Sequence, residues 1–324
     1  MAESTQWSFP RELQPRAADL AFDLKAALDA VVMLRANVPD DAFTASILGT
    51  ERAGNGVVIR DDGLTLTIGY LVTEAESVWL TTNSGATVAG HPLAYDFATG
   101  LGLVIPLGRL DAPPLRRGPA AGVGVDDDVF VIGNGGLTHT LKARVIAKRE
   151  FAGYWEYLLD EALFTAPPHP EWSGAALLDD SGQLIGIGSL LVQEAVGENT
   201  IQGNMFVPSD LLDPLLDDLL KTGRTTRPAR PWLGMYTTEI ASHLVVNGLA
   251  KHGPADNAGV RLGDIVVDVA GDRVTGLADF YRRVWSLGPP GTRVSLTLAR
   301  DGAVTRIDVK SADRADYLKK PLLQ

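Results

Sequence analysis

The spacing of apolar residues changes twice along the chain, and each change indicates a different kind of structure. In residues 15–29, apolar side chains recur every three or four positions, which is the spacing of one face of an α-helix. These positions are Ala18, Leu20, Ala21, Leu24, Ala27 and Leu28. We therefore predict an N-terminal helical segment over residues 1–30.

A β-rich pattern follows over residues 31–207. Short β-branched runs, such as residues 129–132, are separated by turn-forming runs, such as residues 180–182. Many short strands divided by turns are typical of a β-barrel or β-sandwich, whereas a parallel sheet would need regular helices between its strands. A leucine-rich helix over residues 208–220 is expected to close this domain, which then covers residues 31–220.

The last part of the chain has a third pattern. Residues 221–229 are polar and include Gly223 and Pro228, which predicts a linker. A compact domain is expected over residues 230–310, with a tail over residues 311–324. Its predicted elements are strands at 244–246, 265–269, 293–299 and 304–309 and a helix at 277–287.

Charge and composition exclude several kinds of protein. The net charge is -11, but residues 230–324 carry 13 basic and 10 acidic residues, so a mildly basic unit follows an acidic body. Because cysteine is absent, no thiolate nucleophile, disulfide or cysteine-ligated metal is possible. An acidic chain is also a poor candidate for non-specific nucleic-acid binding. The sequence contains no membrane-spanning apolar run, and we predict neither a metal site nor a cofactor.

Three segments of the β-rich domain carry the residues on which its function depends. Residues 54–67 read Gly-Asn-Gly-Val-Val-Ile-Arg-Asp-Asp-Gly-Leu-Thr-Leu-Thr, residues 96–104 read Asp-Phe-Ala-Thr-Gly-Leu-Gly-Leu-Val, and residues 169–177 read His-Pro-Glu-Trp-Ser-Gly-Ala-Ala-Leu. Their order and spacing resemble the high-temperature-requirement (HtrA/DegP) family of trypsin-like serine proteases. The resemblance covers most of residues 31–220 and implies a mainly β fold, a trypsin-like double β-barrel.

Two of the three catalytic positions of that family are changed in this chain. Where the family has Thr-Asn-Asn-His-Val-Val, the chain reads Thr-Ile-Gly-Tyr-Leu-Val, so Tyr70 stands at the position of the catalytic His. Gly100 stands at the catalytic Asp, and only Ser173 matches the family, at the nucleophile. Glu171 and Trp172 replace a Gly and an Asn in the loop that forms the family's oxyanion hole.

These replacements predict that serine chemistry is lost. A serine attacks a carbonyl only when a base removes its proton, and in this template a His oriented by an Asp does so. A tyrosine with an ordinary pKa near ~10 is protonated at neutral pH. Loss of the base costs about 10⁶ in kcat. Two alternatives stay open: His169, which lies close before Ser173, could supply a new base, and the chain could be an active serine endopeptidase with a remodelled site using Ser173.

The C-terminal domain resembles the bacterial PDZ domain that follows this protease core. Residues 230–235 look like its carboxylate-binding loop, and residues 253–266 carry its most specific motif. In such a domain a peptide adds as a strand beside the loop, and backbone N–H groups hold the terminal carboxylate. The predicted peptide-binding residues are Trp232, Leu233, Gly234, Met235, Phe280 and Val284. Their apolar members could equally belong to the ordinary core.

Together these features predict a proteolytically inactive HtrA-like homologue, a pseudoprotease. It is expected to bind polypeptide C-termini or unfolded segments as a scaffold, chaperone or regulator in protein quality control. Another hypothesis is a regulatory subunit that assembles with an active homologue. The resemblance also implies a homo-oligomer such as a trimer, with Trp7, Phe9 and the first helix as candidate contacts. Because residues 1–7 lack the features of a signal peptide, we expect a cytoplasmic protein, or a periplasmic one if a signal peptide has been removed.

Overall fold

The computed structural model describes residues 7–196 and 199–319, which divide into two compact units. Within the described residues, the first unit comprises residues 7–149, Glu161–Thr225 and Lys319, and the second comprises Glu150–Asp160 and Thr226–Leu318. The predictions about a signal peptide and about the end of the C-terminal tail concern residues 1–6 and 320–324, which lie outside the described residues.

The first unit contains two closed β-barrels. The strands of the first barrel are β1 (Val31–Asn37), β2 (Glu51–Val58), β3 (Thr65–Ile68), β4 (Ser77–Thr81), β5 (Thr87–Tyr95) and β6 (Leu101–Pro106). They pair in the order β1-β2-β3-β6-β5-β4 and close through β1 and β4. Alternate residues of β5 are buried, as expected for a strand with one face towards a barrel interior.

The strands of the second barrel are β7 (Asp128–Ile132), β8 (Thr140–Gly153), β9 (Tyr157–Ala166), β10 (Ala176–Leu178), β11 (Leu184–Val196) and β12 (Asn199–Pro208). They pair in the order β10-β11-β12-β9-β8-β7, and β10 closes the barrel against β7. Apolar side chains fill its interior, including Val129, Val131, Leu141, Leu163 and Phe206. The tip of the β8–β9 hairpin, Glu150–Asp160, groups with the second unit, although the sequence-based division at residue 220 placed it with the barrels.

The prediction of an N-terminal helical segment is only partly correct. A single α-helix, α1 (Leu24–Asp29), forms the end of that segment, and the residues before it form the 3₁₀ turns Arg11–Leu13 and Ala17–Asp19. The helix begins late because Asp23 caps it: the Asp23 carboxylate accepts the Ala26 N–H at 3.1 Å.

Two further α-helices belong to the first unit, α2 (Ala45–Leu48) and α3 (Leu216–Thr222). The predicted helix over residues 208–220 is divided, because the 3₁₀ turn Ser209–Leu212 precedes α3. Pro214 lies between the two and lacks the N–H group that a continuous helix would need there.

The second unit has one sheet and two helices. Its elements are β13 (Met235–Ile240), β14 (His243–Leu249), α4 (Pro254–Ala258), β15 (Ile265–Val269), β16 (Asp272–Arg273), α5 (Leu277–Ser286), β17 (Arg293–Arg300) and β18 (Ala303–Lys310). The main strands pair in the order β13-β14-β15-β17-β18, and β16 pairs with β15. The four strands and the helix predicted from the sequence are all present. In β17 the alternate residues Val294, Leu296 and Leu298 are fully buried, which directs one face of the sheet into the core.

Candidate functional site

Tyr70 and Ser173 contact each other in the first unit. Tyr70 lies on the 3₁₀ turn Gly69–Leu71 directly after β3, and Ser173 lies in the loop before β10. Tyr70 Oη donates to the backbone O of Ser189 at 2.8 Å and hydrogen-bonds Ser173 Oγ. Because a phenol has one proton, and Tyr70 gives it to Ser189, the Ser173 hydroxyl is the donor in the second bond. The structure therefore brings together the residues predicted to stand at the family's His and Ser positions.

Burial makes the Tyr70 phenol a weaker acid than usual. It raises the pKa of Tyr70 to about 12, although the hydrogen bond with Ser173 acts in the opposite direction. The phenol is therefore protonated at neutral pH. A protonated phenol that accepts a hydrogen bond from the Ser173 hydroxyl has no capacity to remove the proton of that hydroxyl.

The position predicted to match the family's catalytic Asp is a backbone turn. Gly100 has a φ of 79°, and its carbonyl accepts the Gly69 N–H at 2.7 Å, which holds it beside the turn that carries Tyr70. Asp96 accepts hydrogen bonds from the N–H and the hydroxyl of Thr99 at 2.8 and 2.7 Å. Asp96 therefore stabilises the turn, and Gly100 presents no carboxylate to Tyr70.

The loop before Ser173 is held by hydrogen bonds on both sides. The Glu171 N–H donates to His169 Nδ1 at 3.0 Å. Asn55 donates its backbone N–H to Ser173 O at 2.7 Å and its side-chain amide to Glu171 O at 2.9 Å. An oxyanion hole needs backbone N–H groups at the Ser and just before it, aimed at the developing charge. Here the Glu171 N–H is directed at a His ring instead.

Glycine allows this loop to approach the neighbouring backbone closely. Gly174 has a φ of 73°, and a Cβ atom there would lie 1.9 Å from the backbone O of Asn55. Trp172 makes a similar approach, since a Cβ atom on Gly188 would lie 1.9 Å from the Trp172 backbone O. Gly174 in the loop and Gly188 in β11 therefore permit these close approaches, although Glu171 and Trp172 have replaced a Gly and an Asn of the family pattern.

Glu171 and His169 are bonded to residues other than Ser173. Glu171 Oε1 accepts the Trp7 Nε1–H at 3.0 Å, and Oε2 lies 3.4 Å from His139 Nδ1. His169 is fully buried, and its Nε2 donates to His139 O at 3.0 Å because its Nδ1 accepts the Glu171 N–H. Burial lowers the pKa of His169, so the ring is neutral. These contacts give no support to the hypothesis that His169 is a new base for Ser173.

In the second unit, the N–H groups of the predicted carboxylate-binding loop converge on one side chain. Leu233 donates to Glu156 Oε1 and Oε2 at 3.2 and 3.1 Å. Gly234 and Met235 donate to Oε1 at 2.7 and 3.1 Å. Glu156 is buried in the short tip between β8 and β9. Glu156 is absent from the predicted site residues, because no local sequence pattern marks a turn glutamate as the partner of a loop 77 to 79 residues away.

The side chains of the other predicted peptide-binding residues are buried. The apolar ones belong to the core of the second unit: Leu233, Met235, Phe280 and Val284. Leu158 of β9 belongs to the same core. Trp232 exchanges two backbone hydrogen bonds with Ala312, and its ring packs against Tyr317 with 4.8 Å between centroids. Of the two roles left open for these side chains, their burial favours the core, whereas the loop N–H groups donate to Glu156.

Comparison with known protein families gives two matches along the chain. Residues 54–187 match the trypsin-like peptidase domain, and residues 231–311 match the PDZ domain. The first match includes Tyr70, Gly100 and Ser173, and the second includes the loop that holds the Glu156 carboxylate.

Curated relatives of the chain are proteases by name. The chain is 27% identical over 274 residues to the probable periplasmic serine endoprotease DegP-like of Chlamydia pneumoniae. The aligned residues cover 79% of this chain and 54% of the relative. It is 28% identical over 306 residues to protease Do-like 1, chloroplastic, of Arabidopsis thaliana. The aligned residues cover 86% of this chain and 68% of the relative. The chain spans about half the length of the DegP-like relatives that it matches.

Solved structures confirm the mainly β fold of trypsin-like barrels followed by a PDZ domain. The HtrA-type protease AlgW with a decapeptide matches with a TM-score of 0.54 at 19% identity, over 95% of this chain and 100% of that one. The serine endoprotease from Yersinia pestis matches with a TM-score of 0.51 at 20% identity, over 92% and 98%. Among the described residues, none of the helices has the length and apolar character needed to span a bilayer.

Proposed function

The chain belongs to the HtrA-like family, with a trypsin-like domain followed by a PDZ domain, and we propose that it is a proteolytically inactive member that binds polypeptides. Its ligands would be C-termini or unfolded segments, and its role that of a scaffold, chaperone or regulator in protein quality control. The observation that carries the proposal is the contact between Tyr70 and Ser173, in which the nucleophile position is bonded to a side chain that is not a base.

Three separate defects of the cleft support the loss of proteolysis. Tyr70 replaces the base, Gly100 replaces the carboxylate that would orient it, and the Glu171 N–H is bonded to His169 rather than directed towards an oxyanion. Loss of the base costs about 10⁶ in kcat, and loss of one oxyanion donor costs about 10²–10³. Because the defects lie in three different segments, no single substitution would repair the site.

The PDZ domain supports the binding half of the proposal. Its loop presents three consecutive N–H groups to a carboxylate, which is the way such domains hold a peptide C-terminus. The net positive charge of residues 230–324 would favour an anionic chain end. The AlgW structure with a matching fold contains a decapeptide, and at its low identity this supports peptide binding by analogy alone.

Assembly and compartment are proposed from the relatives. The names of the DegP-like relatives include the word periplasmic, which favours the periplasm over the cytoplasm for this chain. A homo-oligomer such as a trimer, or a complex with an active homologue, is proposed from the family resemblance, and light scattering of the purified protein would measure it. Trp7 was a candidate contact for such an assembly, and within this chain it donates to Glu171.

The alternative function is an active serine endopeptidase that uses Ser173. Two facts favour it: Ser173 is retained, and the relatives are named serine endoproteases. Its mechanism would require the Tyr70 phenolate as the base. With a pKa of about 12, the phenolate would form only about 10⁻⁵ of the Tyr70 population at pH 7.

Labelling with a fluorophosphonate probe, beside a casein-cleavage assay, tests the loss of activity. The wild type is compared with Ser173→Ala and with Ser181→Ala, a matched change of a serine in an exposed turn. We expect the three proteins to give the same background in both assays. Labelling or cleavage that disappears only in Ser173→Ala would overturn the inactive assignment.

An array of random decapeptides with free C-termini tests the binding half. We expect bound peptides to be lost when Gly234→Val disturbs the loop, where a Cβ atom would lie 2.9 Å from Ala250 Cβ. They should be kept in Gly271→Val, because Gly271 also has a positive φ but has open space around its Cβ position. Equal binding by both variants would mean that the loop is not the binding site.

A further inference from the structure

The tip of the β8–β9 hairpin lies along the free edge of β13. Tyr154 O accepts the Thr237 N–H at 3.4 Å. In the described part of the sheet, β13 pairs with β14 and has no strand on its other side. An edge strand with unpaired N–H and C=O groups is where an added peptide strand binds. Here residues of the chain itself occupy part of that edge.

Further polar contacts hold the residues next to Tyr154 to other parts of the second unit. Tyr281 Oη donates to Gly153 O at 2.8 Å and accepts the Glu156 N–H at 3.1 Å. Arg314 Nη1 donates to Trp155 O at 3.2 Å. Together with Tyr154, the tip therefore makes four consecutive sets of contacts that end at the Glu156 carboxylate in the loop.

This arrangement has both elements of PDZ recognition: backbone bonding beside the edge strand, and a carboxylate held by the loop N–H groups. We propose that residues Gly153–Glu156 of the tip are an internal ligand of the PDZ domain, with the Glu156 side-chain carboxylate in the place of a peptide's terminal carboxylate. The inference rests on the proposed peptide-binding function, and it defines the ligand class. A polypeptide with a free C-terminal carboxylate offers the loop a replacement for the Glu156 carboxylate.

Two features of Glu156 are consistent with exchange rather than with a permanent brace. Its φ of 59° lies in the left-handed region, which non-glycine residues rarely adopt. Burial also raises the pKa of Glu156 to about 7, against the opposite effects of the loop N–H groups and Arg314, so the ionised carboxylate is held at a desolvation cost.

With an internal ligand, the apparent affinity for a competing peptide equals the intrinsic affinity multiplied by the fraction of molecules in which the loop is open. If the loop is open in about a tenth of the molecules, removal of Glu156 strengthens peptide binding about tenfold. An amidated peptide gains nothing, because its end group lacks the carboxylate that the loop accepts.

The test uses the full chain as wild type, Glu156→Ala, Glu156→Gln and Asp160→Ala. Asp160 is a matched control, because its side chain is 95% exposed on the same hairpin. The probes are an array of random decapeptides with free C-terminal carboxylates and the same array with C-terminal amides. We expect Glu156→Ala to bind free-acid peptides at least about tenfold more tightly than wild type or Asp160→Ala, with Glu156→Gln in between and no gain on the amidated array.

Hydrogen exchange of the same proteins supplies a second readout. The Leu233–Met235 amides should exchange faster in Glu156→Ala and be protected again by a bound peptide, while protection of β17 reports that the domain remains folded. Equal peptide affinity of wild type and Glu156→Ala would overturn the internal-ligand proposal and leave the proposed function standing. Binding by none of the variants, with β17 protected, would overturn both.

Discussion

In two regions of this molecule, the cleft and the PDZ loop, a side chain of the chain itself lies where the family would act on or bind a polypeptide. The two regions differ in which groups of the family's site are retained. In the cleft, Tyr70 contacts Ser173. In the PDZ loop, Glu156 accepts the N–H groups of Leu233–Met235. Catalysis in the cleft depends on particular side chains, and two of them are replaced. Binding at the loop depends on backbone N–H groups, which every residue except proline supplies. A binding site built from backbone N–H groups would therefore survive side-chain substitutions that remove a catalytic site.

The largest expected effect concerns the oxyanion donors of the cleft. Tyr70→His with Gly100→Asp restores the family's side chains, but leaves the Glu171 N–H bonded to His169. Adding Glu171→Gly and Trp172→Asn gives the loop the family's residues. Because one oxyanion donor is worth about 10²–10³ in rate, we expect fluorophosphonate labelling of this fourfold variant, which carries all four substitutions, to be about 10²–10³-fold faster than that of the double variant.

Ser173→Ala in the fourfold background is the control, and it should abolish the labelling. Equal labelling rates of the double and fourfold variants would mean that the loop already presents its N–H groups correctly. The cleft would then differ from the PDZ loop only in its side chains.

The residues at the key positions of the cleft could be predicted from the sequence, whereas the hydrogen bonds between them could not. Tyr70 and Gly100 fall inside short motifs with fixed spacing, so their positions follow from the local sequence. The bond from the Glu171 N–H to His169 depends on how the loop turns, and that turn depends on Asn55, which lies in another barrel strand. A motif identifies residues, but it does not orient a backbone N–H group.

The contact between Glu156 and the PDZ loop could not be predicted from the sequence, for a different reason. The strands and the helix of the second unit follow the expected periodicity, because their apolar faces are local patterns. Glu156 belongs to a turn between two barrel strands, and its partners are defined only when Glu150–Asp160 joins residues 226–318. A charged residue in a turn is normally solvated, so its sequence context gives no sign that it is buried.

The second largest effect should come from the loop glycine next to Ser173. Gly174→Ala adds a Cβ atom 1.9 Å from the Asn55 backbone O at a positive φ, and we expect the free energy of unfolding to fall by about 3 kcal/mol or more. Gly136→Ala has nearly the same φ but open space, so it should cost only about 1–2 kcal/mol. Urea unfolding of both variants measures the difference. Equal losses would show that the loop moves easily and is not held as tightly as its hydrogen bonds indicate.

The PDZ loop should respond to pH, because burial raises the pKa of Glu156 to about 7 from its ordinary 4.5. The protonated form is therefore favoured in the docked tip, and docking weakens as the pH rises through the docked pKa. The groups that face Glu156 are Arg314, which opposes the shift, and Tyr236 and Tyr281, whose own pKa values are raised by burial so that both stay neutral.

We expect the docking equilibrium to weaken about tenfold between pH 6 and pH 8. It is measured as the protection of the Leu233–Met235 amides, corrected for the intrinsic pH dependence of exchange. Glu156→Gln cannot titrate, so its corrected protection should be constant over this range. The same slope in both proteins would assign the pH dependence to another group and leave the Glu156 contact insensitive to protonation.

The smallest effect concerns the hydroxyl of Tyr70, and it decides whether that side chain has a structural role of its own in the cleft. Tyr70→Phe removes the donor to Ser189 O and the acceptor for Ser173 Oγ, so the free energy of unfolding should fall by about 1 kcal/mol. Tyr154→Phe, at a half-exposed ring, is the matched control and should change it by less than about 0.5 kcal/mol. Because Ser173→Ala removes the same bond from the other side, the double variant should cost less than the sum of the two single variants. If the losses of the two single variants simply add in the double variant, the result would contradict the hydrogen bond between Tyr70 and Ser173.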